Sequence, residues 1–237
     1  MTDQGFGLKD HKHNLIFNAI HEGFWGFGIA FHSTYAVVPL FLKLLDAPPI
    51  IIGSAAGVFT ACAAIPQIAM AFIGQRIQNI KKGIVLAHSV MIPPMLLAGF
   101  IFGVLAPTGP NVWAIYFGCF VLFSLGVGVV FPIWADFLEY VHLSERKGEF
   151  FGISFAITNA AGFFGGLAVK NLLKSAPFPS NFGYGFMIYA VCIMSAVVLF
   201  MGYRLKPKSS KRPNRDFRLF RNCLLYTSPS PRDGLLS

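Results

Sequence analysis

Charge is scarce in this chain. Of its 237 residues only 12% are Asp, Glu, Lys or Arg, whereas 55% are apolar and 15% aromatic. A folded domain in water needs a polar surface that this composition does not supply. A soluble globular fold is therefore excluded, and lipid must cover much of the chain. Cysteine is also sparse: Cys62, Cys119 and Cys192 fall in three separate apolar runs and Cys223 lies near the end, which gives neither a disulfide framework nor metal-ligand spacing. No cofactor is expected. A cleavable leader is not expected either, because the first apolar run is too long for a signal h-region and carries His21 and Glu22. No run ends in the cluster of Asp, His or Cys that a catalytic metal or nucleophile requires, so an enzyme is not expected.

What the chain has instead is apolar length. A hydrocarbon crossing takes roughly 20 apolar residues, and six runs meet that demand: Leu15 to Leu42, Pro49 to Gly74, Gly83 to Ala106, Val112 to Ala135, Phe150 to Leu172 and Gly183 to Tyr203. The runs are continuously apolar rather than alternating, so each reads as a helix that satisfies its own backbone in lipid. The expected fold class is all-α, a polytopic bundle of six transmembrane helices.

The net charge of +9 does not require nucleic acid, because its distribution is that of a membrane protein. If the amino terminus is cytoplasmic, fifteen Lys and Arg fall on that side and three, Lys43, Lys170 and Lys174, on the other. That asymmetry follows the positive-inside rule and predicts a multi-pass protein of the cell (plasma) membrane with both termini in the cytoplasm. Residues 1–14 read as a cytoplasmic segment, and 204–222, rich in Lys, Arg, Pro and Ser, as a basic cytoplasmic linker or a juxtamembrane tail on anionic lipid. From Cys223 to Asp233 the sequence resembles the in-frame translation of a transposase sequencing adapter. Residues 223–237 are accordingly set outside the fold, and the natural reading frame is expected to continue past Asn222.

At 100° per residue the first run separates into two faces. Asn14, Asn18, His21, Glu22, Trp25, His32, Ser33 and Tyr35 share one arc, and Ile16, Ile20, Phe24, Phe27, Phe31, Val38 and Phe41 lie opposite. Glu22 is the one acid well inside a run, and an ionised carboxylate there costs at least about 2.5 kcal/mol on insertion scales. Two readings of it stand. Glu22 binds a proton, a coupling cation or a cationic group of the solute, with His21, Trp25 and His32 beside it; or, about 10 Å from the cytoplasmic end, it pairs with a basic loop residue. His88, alone in the third run, reads as a satisfied interior histidine. Ser154, Thr158, Gly162 and Gly166 recur at every fourth position of the fifth run and predict close helix packing. Pro66, Pro93-Pro94 and Pro132 predict kinks. The echo of Gly26-Phe-Gly28 in Gly126-Val-Gly128 fits a three-plus-three repeat relating the first and fourth runs.

The stretch Ala71-Phe-Ile-Gly-Gln75-Arg76-Ile-Gln-Asn-Ile-Lys81-Lys82 resembles the cytoplasmic signature loop of the major facilitator superfamily. In that loop a glycine, an acid, an arginine and a later basic pair follow the second helix. Arg76, Lys81 and Lys82 match; Gln75 and Ala71 depart from the acid and the leading glycine. The run Ala135-Asp136, then Glu145-Arg146-Lys147-Gly148 and Phe151-Gly152, is similar to the superfamily's acid and Arg-Gly turn around the fourth and fifth helices. The fourth run has Leu122 near the place of the arginine that many proton-coupled members carry, and the fifth lacks the antiporter proline.

The resemblance implies that the chain is one six-helix half of a twelve-helix secondary transporter. Its partners would be the lipid bilayer, a carboxy-terminal six-helix half, a small solute, and a coupling proton or cation. It further implies that Arg76 pairs with Asp136 at a cytoplasmic gate near Lys81 and Lys82, that the first and fourth helices line the path, and that the second and fifth present small residues to the other half. The alternative is a complete six-helix membrane scaffold or assembly protein without transport.

Overall fold

The computed structural model describes residues 5–74 and 77–207; Arg76, the linker beyond Pro207 and residues 223–237 lie outside it. Among the described residues the chain is helical, without strands, and six helical segments are long and apolar enough to cross a membrane. The protein is a multi-pass membrane protein.

The first span, Leu8–Leu44, starts seven residues before the apolar run does. Helix α1 (Leu8–Ile29) begins after Gly7, whose N–H donates to Asp10 Oδ2 at 3.2 Å, an acid in the first turn where the helix dipole favours it. The span is not one helix. A 3-10 turn, Ala30–His32, and a non-helical link at 33–36 separate α1 from α2 (Val37–Leu44). This break corrects the two-faced projection: Phe31, Val38 and Phe41, assigned to the outward face, are all buried. The 100° phase holds only along an unbroken helix.

The second span is α3 (Pro49–Ile73), opened by Pro49 in its first turn, where a missing N–H costs nothing. The third is interrupted. Helix α4 (Ile80–Ser89) has Asn79 as its cap, the side chain accepting from Lys82 N at 3.1 Å. After a break at 90–91 comes α5 (Ile92–Phe100), with Pro93-Pro94 in its first turn, and then a π-helical turn, Ile101–Leu105. By contrast, Pro66 and Pro132 lie inside continuous helices, α3 and α6 (Val112–Leu138). The fifth and sixth spans are carried by α7 (Lys147–Ser175) and α8 (Ser180–Leu199).

The spans pair in a definite pattern. Helix α1 lies along α7 and α8, α6 lies along α3 and against α4 and α5, and α5 packs on α8. Exchanging the first three spans with the last three turns the pair one–five into four–two, one–six into four–three, and three–six into itself. That is the pairing of a three-plus-three repeat. Glycines mark its tightest contacts. A Cβ on Gly26 would run into the Thr158 backbone of α7, and one on Gly128 into the Ala63 backbone of α3. Gly28 meets Tyr189 and Cys192 of α8, and Gly126 meets Met91 of the third span. By contact, then, Gly26 corresponds to Gly128 and Gly28 to Gly126, the reverse of the order in the sequence echo.

Two apolar clusters fill the interior. One joins Phe137, Phe150, Phe200 and Tyr203; the other gathers Phe102, Tyr116, Phe182 and Phe186 around Phe41. Spans two and five are peripheral, with only 11% of each apolar window buried against 39–50% in the other four. Large apolar side chains such as Ile65, Ile68, Phe155, Phe163 and Phe164 stand exposed on them. Water would not tolerate that surface; lipid or further helices do.

Candidate functional site

A polar ladder runs up the buried side of α1. Asp10, Asn14, Asn18 and Glu22 are spaced four apart and so share one face, and each has a partner on another element. Asp10 Oδ1 accepts from Arg204 Nη1 at 2.9 Å. Asn14 donates to the carbonyls of Val141 (2.8 Å) and Arg204 (2.6 Å) and accepts from Arg204 N (2.8 Å). Asn18 donates to Ser154 Oγ at 2.6 Å and accepts from Tyr203 OH at 3.1 Å. At the top, Thr158 Oγ1 donates to Glu22 Oε2 at 2.7 Å, and His21 Nδ1 lies 3.4 Å from Glu22 Oε1.

The lower rungs form a clasp. The segment after α8 turns back across α1, where Asn14 takes both backbone groups of Arg204, while Lys206 N donates to Tyr140 O at 2.9 Å. Lys206 Nζ stands 5.7 Å over the Phe6 ring, His13 Nε2 is 2.9 Å from Gly202 O, and Lys81 Nζ donates to Met201 O at 3.2 Å. Arg204 and Lys206, read from sequence as the start of a basic linker or juxtamembrane tail, are thus tied to the bundle. His142 closes the same region. Its Nδ1 donates to Leu138 O at 2.6 Å and it packs on Phe150 and Phe151; burial holds this imidazole below its ordinary pKa, with Lys206 and Lys147 adding to the effect.

The upper rungs suit proton chemistry. The Thr158 hydroxyl is also 2.9 Å from Ser154 O. With Glu22 ionised, it donates to the carboxylate. With Glu22 protonated, the acid O–H donates to Thr158 Oγ1, and the threonine proton turns to the Ser154 carbonyl. Both states are bonded without moving a backbone, and both are shielded, since Glu22 is 7% exposed.

The sequence candidates divide. Glu22 and His21 come together and the Trp25 ring lies 6.2 Å from that of His88, whereas His32 stands in a cage of Tyr116, Phe120, Phe123, Phe186 and Tyr189, with ring centroids 4.9–6.1 Å away. Neither His32 nitrogen nor the Tyr116 hydroxyl has a hydrogen-bond partner. Of the gate candidates, Asp136 is half-buried near the end of α6, Lys81 holds the end of α8, and Lys82 is exposed. The expected Arg76 contact lies outside the described residues.

The small-residue strip is turned inward. Ser154 and Thr158 bond α1, Gly162 faces the Gly26 carbonyl, and the next close contact is Gly165 against Phe27 and Ala30, while Gly166 faces open space. Ser154, Thr158 and Gly162 therefore give the close helix packing expected of the strip, against α1 of the same bundle.

Two things escaped the sequence reading. Ser154 and Thr158 read as small packing residues, yet their hydroxyls bond the ladder. His88 read as solitary, yet it reaches His21 from α4. No three of the described His, Cys, Asp or Glu side chains are arranged to hold a metal, and Cys62, Cys119 and Cys192 are free thiols. No family model and no curated protein matches the chain.

Proposed function

We propose that this chain is the amino-terminal six-helix bundle of a secondary transporter of the major facilitator type, moving a small solute by alternating access against a second six-helix half. The observation that carries the reading is the Glu22–Thr158 contact at 2.7 Å. It places a buried carboxylate in a membrane span, beside a hydroxyl that serves it charged or neutral. Such a residue is expensive in lipid and marks an ion or substrate pathway.

The bundle supports this reading in two further ways. Its spans pair as a three-plus-three repeat, and spans two and five offer long apolar faces to lipid or to further helices. Glu22 joins α1 to α7 at the Gly26–Thr158 close approach, so gain or loss of its charge alters how these two helices hold together. That is the coupling an alternating-access carrier needs.

The test is to read source DNA across the codons around Asn222. Six further apolar spans in frame support the half-transporter; a natural stop soon after Arg221 favours a six-helix scaffold instead.

A further inference from the structure

Helices α3 and α4 both lie on α6, yet among the described residues they pack little against each other. Between them is a trough of about 390 Å³ that opens to the outside of the bundle. Val129 and Ile133, four apart on one face of α6, form its floor, and Met70 of α3 and Leu86 of α4 form its walls.

The trough has a direction. Lys82, Leu86 and Val90 line it at intervals of four, on one side of α4 and its continuation, and all three are exposed. Lys82 stands just inside the start of the third span, Ile80–Leu105, at the depth where headgroups meet hydrocarbon. From there to Val90 the chain descends about 12 Å at 1.5 Å per residue, against roughly 15 Å for one leaflet of a bilayer. The deep end is apolar and the mouth is cationic. Lys82 and Asn79 line the mouth, and no Asp or Glu lines any part of the trough. Asn79 Oδ1 accepts from Lys82 N at 3.1 Å, which leaves the Asn79 amide N–H groups and the Lys82 ammonium as donors. Lys82 makes no ion pair among the described residues. Lys81 beside it is held by the Met201 carbonyl at 3.2 Å and adds its charge to that end.

We infer that this trough binds one anionic phospholipid of the surrounding leaflet. An acyl chain lies along Leu86, Val90, Val129 and Ile133, and the phosphate is held by Lys82 and Asn79. The chain positions the lipid but does not select it, because lipid tails are as apolar as these side chains. Selection comes from charge. A lysine at an anionic membrane surface is worth about fivefold in binding, and a zwitterionic headgroup, which carries its own cation beside the phosphate, forfeits that gain. The inference goes beyond the transport reading and does not depend on it, since a carrier bundle and a scaffold hold such a lipid alike.

The experiment is native mass spectrometry of the full chain released from nanodiscs, with dioleoyl phosphatidylglycerol or dioleoyl phosphatidylcholine as the probe. Wild type retains one phosphatidylglycerol with about fivefold preference over phosphatidylcholine. Lys82→Gln leaves the helix cap intact, because the cap uses the backbone N–H, and lowers phosphatidylglycerol to the phosphatidylcholine level. Lys82→Arg keeps the preference. Leu86→Trp, at an exposed position, fills the trough and displaces both lipids. Lys147→Gln removes an exposed lysine at the same end of the bundle, on α7, and changes nothing. Glycerol phosphate, which has the charge without the chains, does not compete. Equal retention of the two lipids by wild type, an equal loss with Lys147→Gln, retention unchanged by Leu86→Trp, or displacement by glycerol phosphate overturns the site.

Discussion

The hydroxyl of Thr158 lies 2.7 Å from Glu22 Oε2 and 2.9 Å from the Ser154 carbonyl, and its one proton serves only one of them at a time. The protonation state of a residue on α1 therefore sets the hydrogen bonding of α7.

Thr158→Val keeps the shape and removes that hydroxyl, leaving the carboxylate without a donor. The cost is about 1–3 kcal/mol, seen as a lower thermal midpoint. Thr158→Ser retains the bond and stays near wild type. Scanning fluorimetry of the purified protein distinguishes the two.

Gly26 and Gly128 hold equivalent places in the two halves of the bundle. Gly26→Ala drives a methyl into the Thr158 backbone and Gly128→Ala into that of Ala63. Each overpacks by about 1–3 kcal/mol, and folded yield in detergent falls for both. Gly118→Ala, with open space around it, leaves the yield unchanged.

The six spans were legible because apolar length is a property of each segment alone. The polar face of α1 was legible too, through Asn14, Asn18, His21 and Glu22, since periodicity reports a face without reporting its partner. What was not legible depends on other elements. Helix α1 reaches back to Leu8 because Val141, Leu143 and Arg204 meet its polar first turns. Phe41 turned inward because the link at 33–36 reset the helical phase. His88 offered no pattern in its own helix; only the pairing of spans brings it to His21. Thr158 and Ser154 suggested close packing correctly, but their hydroxyls gained meaning only from Asn18 and Glu22.

Asn14 makes three hydrogen bonds from the first span to Val141 and Arg204. At about 1 kcal/mol each, Asn14→Ala loosens the clasp by about 3 kcal/mol. Hydrogen exchange of the Arg204 amide then speeds up by about a hundredfold, taking tenfold per 1.4 kcal/mol, while amides in the middle of α6 are unaffected.

His142 makes the clasp sensitive to pH. Its pKa is depressed in the folded protein by burial, so the unfolded chain binds the extra proton first and stability rises with pH in that window. Thermal midpoints accordingly fall as pH drops below the ordinary imidazole value of about 6.5 and level off below the folded pKa. His142→Gln flattens this slope.

The account's central claim is that Glu22 couples a proton to solute movement. The direct measurement uses the full natural reading frame in proteoliposomes, comparing solute accumulation driven by an imposed pH gradient with solute counterflow at equal pH, in wild type and Glu22→Gln. The account predicts that Glu22→Gln loses accumulation and its pH dependence while keeping counterflow. Accumulation by Glu22→Gln at the wild-type level, with the same pH dependence, would contradict it.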